Sequence, residues 1–254
     1  MTMEIYEASS VLSSFKTISL EEMKGIKLMN RIDTKFVTTT GKLRRLLSLA
    51  ASDYFVQQIN DKRISAYSTV YFDTPDYNMF YVHQTGHANR QKLRFRTYTD
   101  SNLQFMEVKT KNNHGRTKKK RIRVTDMDLN GDEKLQFLSQ YLKYDTSVLN
   151  PALQTKFDRI TLVNQNKTER LTIDTNITFN NIVHQKQNHL QNLVVIELKR
   201  DGLSPSPVLS MLRQLRIFPH GFSKYCMGQM LTNNELRINR FKQKMREVEK
   251  ILKS

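Results

Sequence analysis

Strict alternation of charged and apolar residues, repeated along several short segments, is the feature that most limits how this chain can fold. In QKLRFRTY (91–98), Lys92, Arg94 and Arg96 occupy every second position, with Leu93 and Phe95 between them. Successive side chains of a β-strand point to opposite faces, so these cations would share one face. FMEVKTK (105–111) likewise sets Glu107, Lys109 and Lys111 against Met106 and Val108. KFDRITLV (156–163) sets Arg159 with Phe157 and Thr161 against Ile160 and Leu162, and ERLTIDTNI (169–177) sets Arg170 and Asp174 against Leu171, Ile173 and Ile177. VVIELKR (194–200) sets Glu197 and Lys199 against Ile196 and Leu198, while DTKFV (33–37) sets Lys35 and Asp33 against Phe36.

One such strand is most simply a strand with a core side and a wet side, the commonest antiparallel arrangement. Across six strands the excess of Arg and Lys argues otherwise, because a solvated face mixes signs to limit repulsion. Enclosing so many cations is costly unless an anion compensates them. The charged faces therefore read as a lumen for a polyphosphate group, with Arg forks on phosphate oxygens. The whole chain carries the same bias: 41 Lys and Arg against 24 Asp and Glu, a net charge of +17, point to a polyanionic partner.

With 254 residues the chain can bury a real core, and without a linker or internal repeat it reads as one domain over 1–254. Residues 1–19 form an N-terminal extension and 233–254 a basic C-terminal helix, read as packing against the body in preference to docking on a membrane surface. Helices are expected at 20–29, 41–51, 131–142, 206–217 and 233–252. Strands are expected at 33–39, 54–59, 64–72, 90–99, 103–111, 118–125, 154–163, 168–179 and 193–200. This pattern predicts an α+β fold, an antiparallel β-barrel of about eight strands, closed or nearly so, with flanking helices. Cys226 is the lone cysteine, which excludes an internal disulfide. No signal peptide and no apolar run of roughly 20 residues is found, so a cytoplasmic protein without a transmembrane segment is expected.

RIDTKFV (31–37), YFDT (71–74), KLRFRTY (92–98), MEVKTK (106–111), KKKR (118–121), DRI (158–160), ERLTIDT (169–175), IELK (196–199) and FSKY (222–225) occur in an order and spacing that resemble one family. It is the catalytic domain of the vacuolar transporter chaperone (VTC) complex, the polyphosphate polymerase branch of the triphosphate tunnel (CYTH) metalloenzymes. The resemblance implies a tunnel that transfers the ATP γ-phosphoryl group to inorganic polyphosphate, releases ADP and uses Mn²⁺ or Mg²⁺. Carried over by position, Arg94, Arg96, Lys109 and Lys224 would be catalytic. Lys35, Lys118, Arg159 and Arg170 would bind phosphate, joined by Lys92, Lys111 and Lys199 from the same stretches, and Glu197 would hold the metal. Hydrolytic tunnel enzymes begin with Glu-x-Glu-x-Lys, where this chain has Arg31, Asp33 and Lys35, which favours the polymerase branch. The partners implied are ATP and polyphosphate, and a membrane-associated partner protein is compatible with the family.

Glu107, Asp174 and Asp33 fit either further metal ligands or salt-bridge partners that align the cations. His83 and His87 read as loop residues. A non-catalytic polyphosphate or nucleotide sensor, or a tunnel triphosphatase, would use the same cations. A nucleic-acid groove is disfavoured because no aromatic stacking platform is expected on the cationic face.

Overall fold

The computed structural model describes residues 10–24, 26, 31–113, 117–202 and 204–253. Its strands are β1 (Lys16–Ser19), β2 (Arg31–Thr39), β3 (Tyr54–Gln58), β4 (Ser65–Asp73), β5 (Arg90–Tyr98), β6 (Leu103–Lys111), β7 (Thr117–Val124), β8 (Asn150–Asn164), β9 (Glu169–Asn181), β10 (Gln187–Leu190) and β11 (Leu193–Asp201). The helices are α1 (Leu20–Lys24), α2 (Thr40–Ala50), α3 (Asn78–Gln84), α4 (Asp132–Tyr141), α5 (Pro207–Gln214), α6 (Lys224–Thr232) and α7 (Lys242–Leu252).

Eight strands form the main path of one antiparallel sheet, in the order β2-β11-β9-β8-β4-β5-β6-β7. Among the described residues no ladder joins β2 to β7, so the sheet curls into a half-barrel and stops short of closure. Its apolar side faces outward and is covered by helices. Leu43, Leu46, Leu47 and Ala50 of α2 recur at helical spacing and, with Val208 and Leu212 of α5, pack over Phe36, Ile160, Ile173 and Ile196. On the other flank, Phe137 and Leu138 of α4 cover Leu93, Phe95, Met106 and Val108. The polar side of the alternation is left on the concave face.

Only part of that concave face is charged. Val37, Leu153, Ile177, Phe179, Leu193 and Val195 line the rest and bury against Phe80 of α3, Tyr225 and Met227 of α6 and Val248 of α7. Sequence alternation put Ile177 on the face opposite Asp174; here both face the concave side. The β8–β9 register shifts between Lys156 and Asp158, and Asn176 adopts a φ of 51° beside the shift. Such a bulge resets the strand's parity, and Asn tolerates the left-handed conformation well. This helical plug sits flush because Gly228 carries no side chain. A Cβ there would lie 2.5 Å from both Leu153 and Phe179 side-chain carbons.

The plug is also tied to the sheet by Asp73 at the end of β4. Its carboxylate accepts from the backbone N–H groups of Met79 (2.8 Å) and Phe80 (3.0 Å) and from the Tyr225 hydroxyl. Neither α3 nor α6 was expected. The first is short, and the second is buried on almost every side, which erases amphipathic periodicity. His83 consequently lies on a helix, with Nδ1 3.0 Å from Cys226 Sγ. The expected helix 233–252 is shortened to α7, which packs into the plug. Helix α1 ends at Lys24, and residues 25 and 27–29 of the expected helix 20–29 lie outside the described residues. No described helix is long and apolar enough to cross a membrane.

Candidate functional site

Strand register decides which charged side chains meet. Lys35 stands opposite Glu197 and Asp33 opposite Lys199, which in turn faces Arg170. Arg159 stands opposite Asp174, Arg94 opposite Glu107, Lys92 opposite Lys109 and Arg90 opposite Lys111. Directly opposed residues share a face, so Lys35, Lys92, Arg94, Arg96, Lys109, Lys111, Arg159, Arg170, Glu197 and Lys199 all lie on the concave side. The sheet is joined there by Lys224 from the first residue of α6, whose preceding Ser223 caps the helix by accepting from the Cys226 N–H.

Three carboxylates organise these cations, each holding two. Glu107 is fully buried and receives Arg94 (2.7 Å) and Lys119 (3.0 Å). Asp174 takes a two-pronged contact from Arg159 (2.6 and 2.8 Å) and a second ion pair from Lys224. Glu197 pairs with Lys199 and lies 3.6 Å from Lys35. Burial alone would raise the Glu107 carboxyl, but Arg94, Arg96 and Lys119 outweigh it and hold the pKa at about 2. Burial is overcome in the same way at Asp174 by Arg159 and Lys224, and at Glu197 by Lys199 and Lys35, so both stay well below the usual carboxylate range. For Glu107 and Asp174 this arrangement matches the alignment role, since both oxygens of each carboxylate are engaged by cations.

Other cations lack such compensation. Lys109, among the described residues, makes no hydrogen bond or ion pair; burial, then Lys35 and Arg94, push its pKa down to about 7. Among the described residues Arg96 donates only to Thr69 Oγ1 (3.3 Å), and burial beside Arg94 lowers it to about 10. Arg170 Nε is buried and has no hydrogen-bond partner among the described residues. Lys92 reaches only a neutral partner, Ser223 Oγ (2.9 Å), among the described residues, while Lys35 adds the Phe222 carbonyl (3.3 Å) to its contact with Glu197. A concave surface with under-neutralised, partly desolvated cations is built to take up an anion with several oxygens.

Lys118 is not brought to this surface. It stands opposite Thr110 on the outward side of β7 and is exposed, while Lys119 and Arg121 stand opposite Lys109 and Glu107 on the concave side. The run KKKR has no alternation to set its phase, and a one-residue shift moves every side chain to the other face. The expectation of no aromatic platform is also corrected. Tyr67, Tyr71, Tyr98, Phe105 and Phe157 share the concave side: Tyr67 faces Phe157 and Tyr98 in register, Tyr71 faces Arg94, and Phe105 faces Arg96. The signals of this in the sequence were the spacings Arg96-x-Tyr98, Phe105-x-Glu107 and Phe157-x-Arg159, each of which puts a ring on the charged face.

Among the described residues no group of three His, Cys, Asp or Glu side chains forms a ready metal cage. Asp33 is held by Arg31 at 2.7 Å. Glu197 is ionised and its side chain keeps 20% of its exposure. One carboxylate fits Mg²⁺ or Mn²⁺ that completes its shell with phosphate oxygens and water. A separate cavity of about 630 Å³ lies outside the half-barrel between α2 and β8–β9, away from these cations.

No curated protein matches the chain significantly. Among solved structures, a candidate adenylate cyclase from Bacillus halodurans superposes with a TM-score of 0.50 at 16% identity, covering 77% of this chain and 96% of its own. A candidate adenylyl cyclase from Hippeastrum, described as having a dominant triphosphatase activity, gives 0.52 at 11% identity over 81% of this chain and 98% of its own. At these identities the likeness is one of fold. The VTC domain model matches residues 30–233, a span that holds the half-barrel and every cation described above, and the chain therefore belongs to the VTC domain family.

Proposed function

We propose that this protein is a polyphosphate polymerase that transfers the γ-phosphoryl group of ATP to the end of an inorganic polyphosphate chain. The observation that carries this reading is the ion pair between Arg31 and Asp33 at the start of β2. It neutralises the strand on which hydrolytic tunnel enzymes keep a pair of glutamates, and Glu107, Asp174 and Glu197 on the other strands each face two cations. What is left is a surface suited to gripping phosphates on both sides of a reaction, without an acidic pair that would ready a water molecule.

Arg94, Arg96, Lys109 and Lys224 stabilise the charge that spreads over the transferred group in a loose transition state. Lys35, Lys92, Lys111, Arg159, Arg170 and Lys199 hold the flanking phosphates in line. The acceptor's terminal oxygen forms the new P–O bond as the bond to the β–γ bridging oxygen breaks, and that electron pair leaves with ADP. The acceptor is already largely ionised, so no general base is required. A divalent metal held through Glu197 would supply charge neutralisation on the phosphate oxygens.

Incubation of purified protein with ATP, Mn²⁺ and short polyphosphate primers tests this. Long polymer and stoichiometric ADP are expected. Orthophosphate as the sole product would convert the reading to a triphosphatase, and tight binding without turnover would convert it to a sensor.

A further inference from the structure

The charged part of the concave face ends, toward Tyr98, in a cluster of rings that starts at Phe157, where Lys224 lies 4.2 Å over the ring. Tyr67 stacks on Phe157 with centroids 5.3 Å apart and planes 4° apart; Tyr98 lies 5.0 Å from Tyr67, and Phe105 lies 5.7 Å from Tyr98. The rings differ in accessibility. Phe157 is sealed at 3% exposure, whereas Tyr98 and Phe105 are only partly buried. Arg121 lies over the Phe105 ring at 4.4 Å and 3.4 Å from the Tyr98 hydroxyl. It stands on the outermost strand and, among the described residues, has no carboxylate partner. A guanidinium resting on an aromatic face, free of any ion pair, can yield that face to another flat ring or sandwich it.

Position adds a second argument. Tyr98 follows Arg94 by four residues on the same face of β5, about 13 Å along the strand. That is the order of span from the terminal phosphate to the base of an extended nucleoside triphosphate. We propose that Tyr98 and Phe105, with Arg121, form a stacking platform for the base of the nucleoside triphosphate whose phosphates lie among Arg94, Lys109 and Lys35. The proposal rests on the functional reading above and gives the site a polarity. With the base at Tyr98, the leaving diphosphate points to that end. In-line displacement then brings the acceptor from the opposite side, toward Lys92 and Lys111. Stacking engages the flat face of a base and not its edge, so GTP should use the platform as ATP does.

Calorimetric titration of ATP, GTP and tripolyphosphate into wild-type protein and into the variants Tyr98→Ala, Phe105→Ala and Tyr98→Phe tests this. Both alanine variants are expected to weaken ATP and GTP about tenfold, to leave tripolyphosphate within about twofold, and Tyr98→Phe should restore nucleotide binding. Tripolyphosphate binding doubles as the check that each variant is folded. Equal weakening of all three ligands would make the rings structural supports, and unchanged nucleotide binding would remove them from the site; either result overturns the platform while leaving the phosphate site standing. Wild-type protein that binds neither ATP nor tripolyphosphate would overturn the functional reading itself.

Discussion

Strands β5 and β7 carry almost the same inventory of cations and do different things with them. On β5, Lys92, Arg94 and Arg96 alternate with Leu93 and Phe95, all three lie on the concave face, and each has a partner: Ser223, Glu107 and Thr69 respectively. On β7, Lys118, Lys119, Lys120 and Arg121 follow one another without alternation, so two face inward and two face out. Lys120 rests 5.3 Å from the Tyr141 ring on the outer side. The lesson is that alternation makes a row of charges interior, and a run of charges splits it. Because β7 is the edge of the half-barrel, its outward lysines have a separate physical use, since a cationic edge discourages pairing with another strand.

Removing the interior guanidinium should give the largest difference between the strands. Arg94→Ala is expected to lower polymer synthesis by about three orders of magnitude. Its melting temperature should fall while the fold persists, because buried Glu107 loses one partner but keeps Lys119 at 3.0 Å. An unfolded Arg94→Ala protein would show that β5 is built for stability and would erase the contrast.

Glu107 ties the two strands together, so Glu107→Gln should loosen Arg94 and Lys119 at once and cost about 100-fold in turnover. The same carboxylate gives a test in pH. Its pKa of about 2 lies below the ordinary value of 4.5, so its contribution to stability is full above 4.5 and is lost as pH falls toward 2. Melting curves between these limits should be less steep in pH for the variant than for wild type; identical slopes would sever the link between the strands.

Lys109 faces Lys92 on β5 and Lys119 on β7. Burial, helped by Lys35, Arg94 and Lys92 and opposed by Glu197, brings its pKa down to about 7. Above that value the free protein has a neutral Lys109 that must take up a proton to pair with a phosphate. Affinity for tripolyphosphate should therefore fall with rising pH, by up to about tenfold per unit, more steeply in wild type than in Lys109→Arg. Parallel pH profiles would place Lys109 outside the bound anion's reach. The smallest effect is expected for Lys118→Ala combined with Lys120→Ala, which should leave turnover within about twofold. A large loss there would mean that the outer side of β7 guides substrate after all.

Much of this was legible because the sheet's period is two. Lys35, Arg94, Arg159, Glu197 and their neighbours were assigned to one face by alternation, and the registers brought them together. The illegible parts have physical causes. The parity change at Asn176 depends on one residue's backbone conformation, which the ERLTIDTNI pattern hides. Helix α6, which delivers Lys224, is apolar on nearly all sides and so lacks a helical stripe. The aromatic group is assembled from β4, β5, β6 and β8, so no single stretch displays it.

The placement of β2 at one end of the sheet has a consequence for how the protein comes to work. Its ladder partner is β11, the last strand in sequence, while most other ladders join strands that are close neighbours along the chain. Contacts between distant segments form late, because a long loop must be closed before they add stability. A chain emerging from the ribosome can build β4 through β7 early, complete with Arg94 and Glu107, yet it must wait for β11 and α6 to set Glu197 beside Lys35 and to bring in Lys224. Until then its arginines form an open basic ribbon, and a polyanion that prefers the finished site will draw the last pieces into place by mass action.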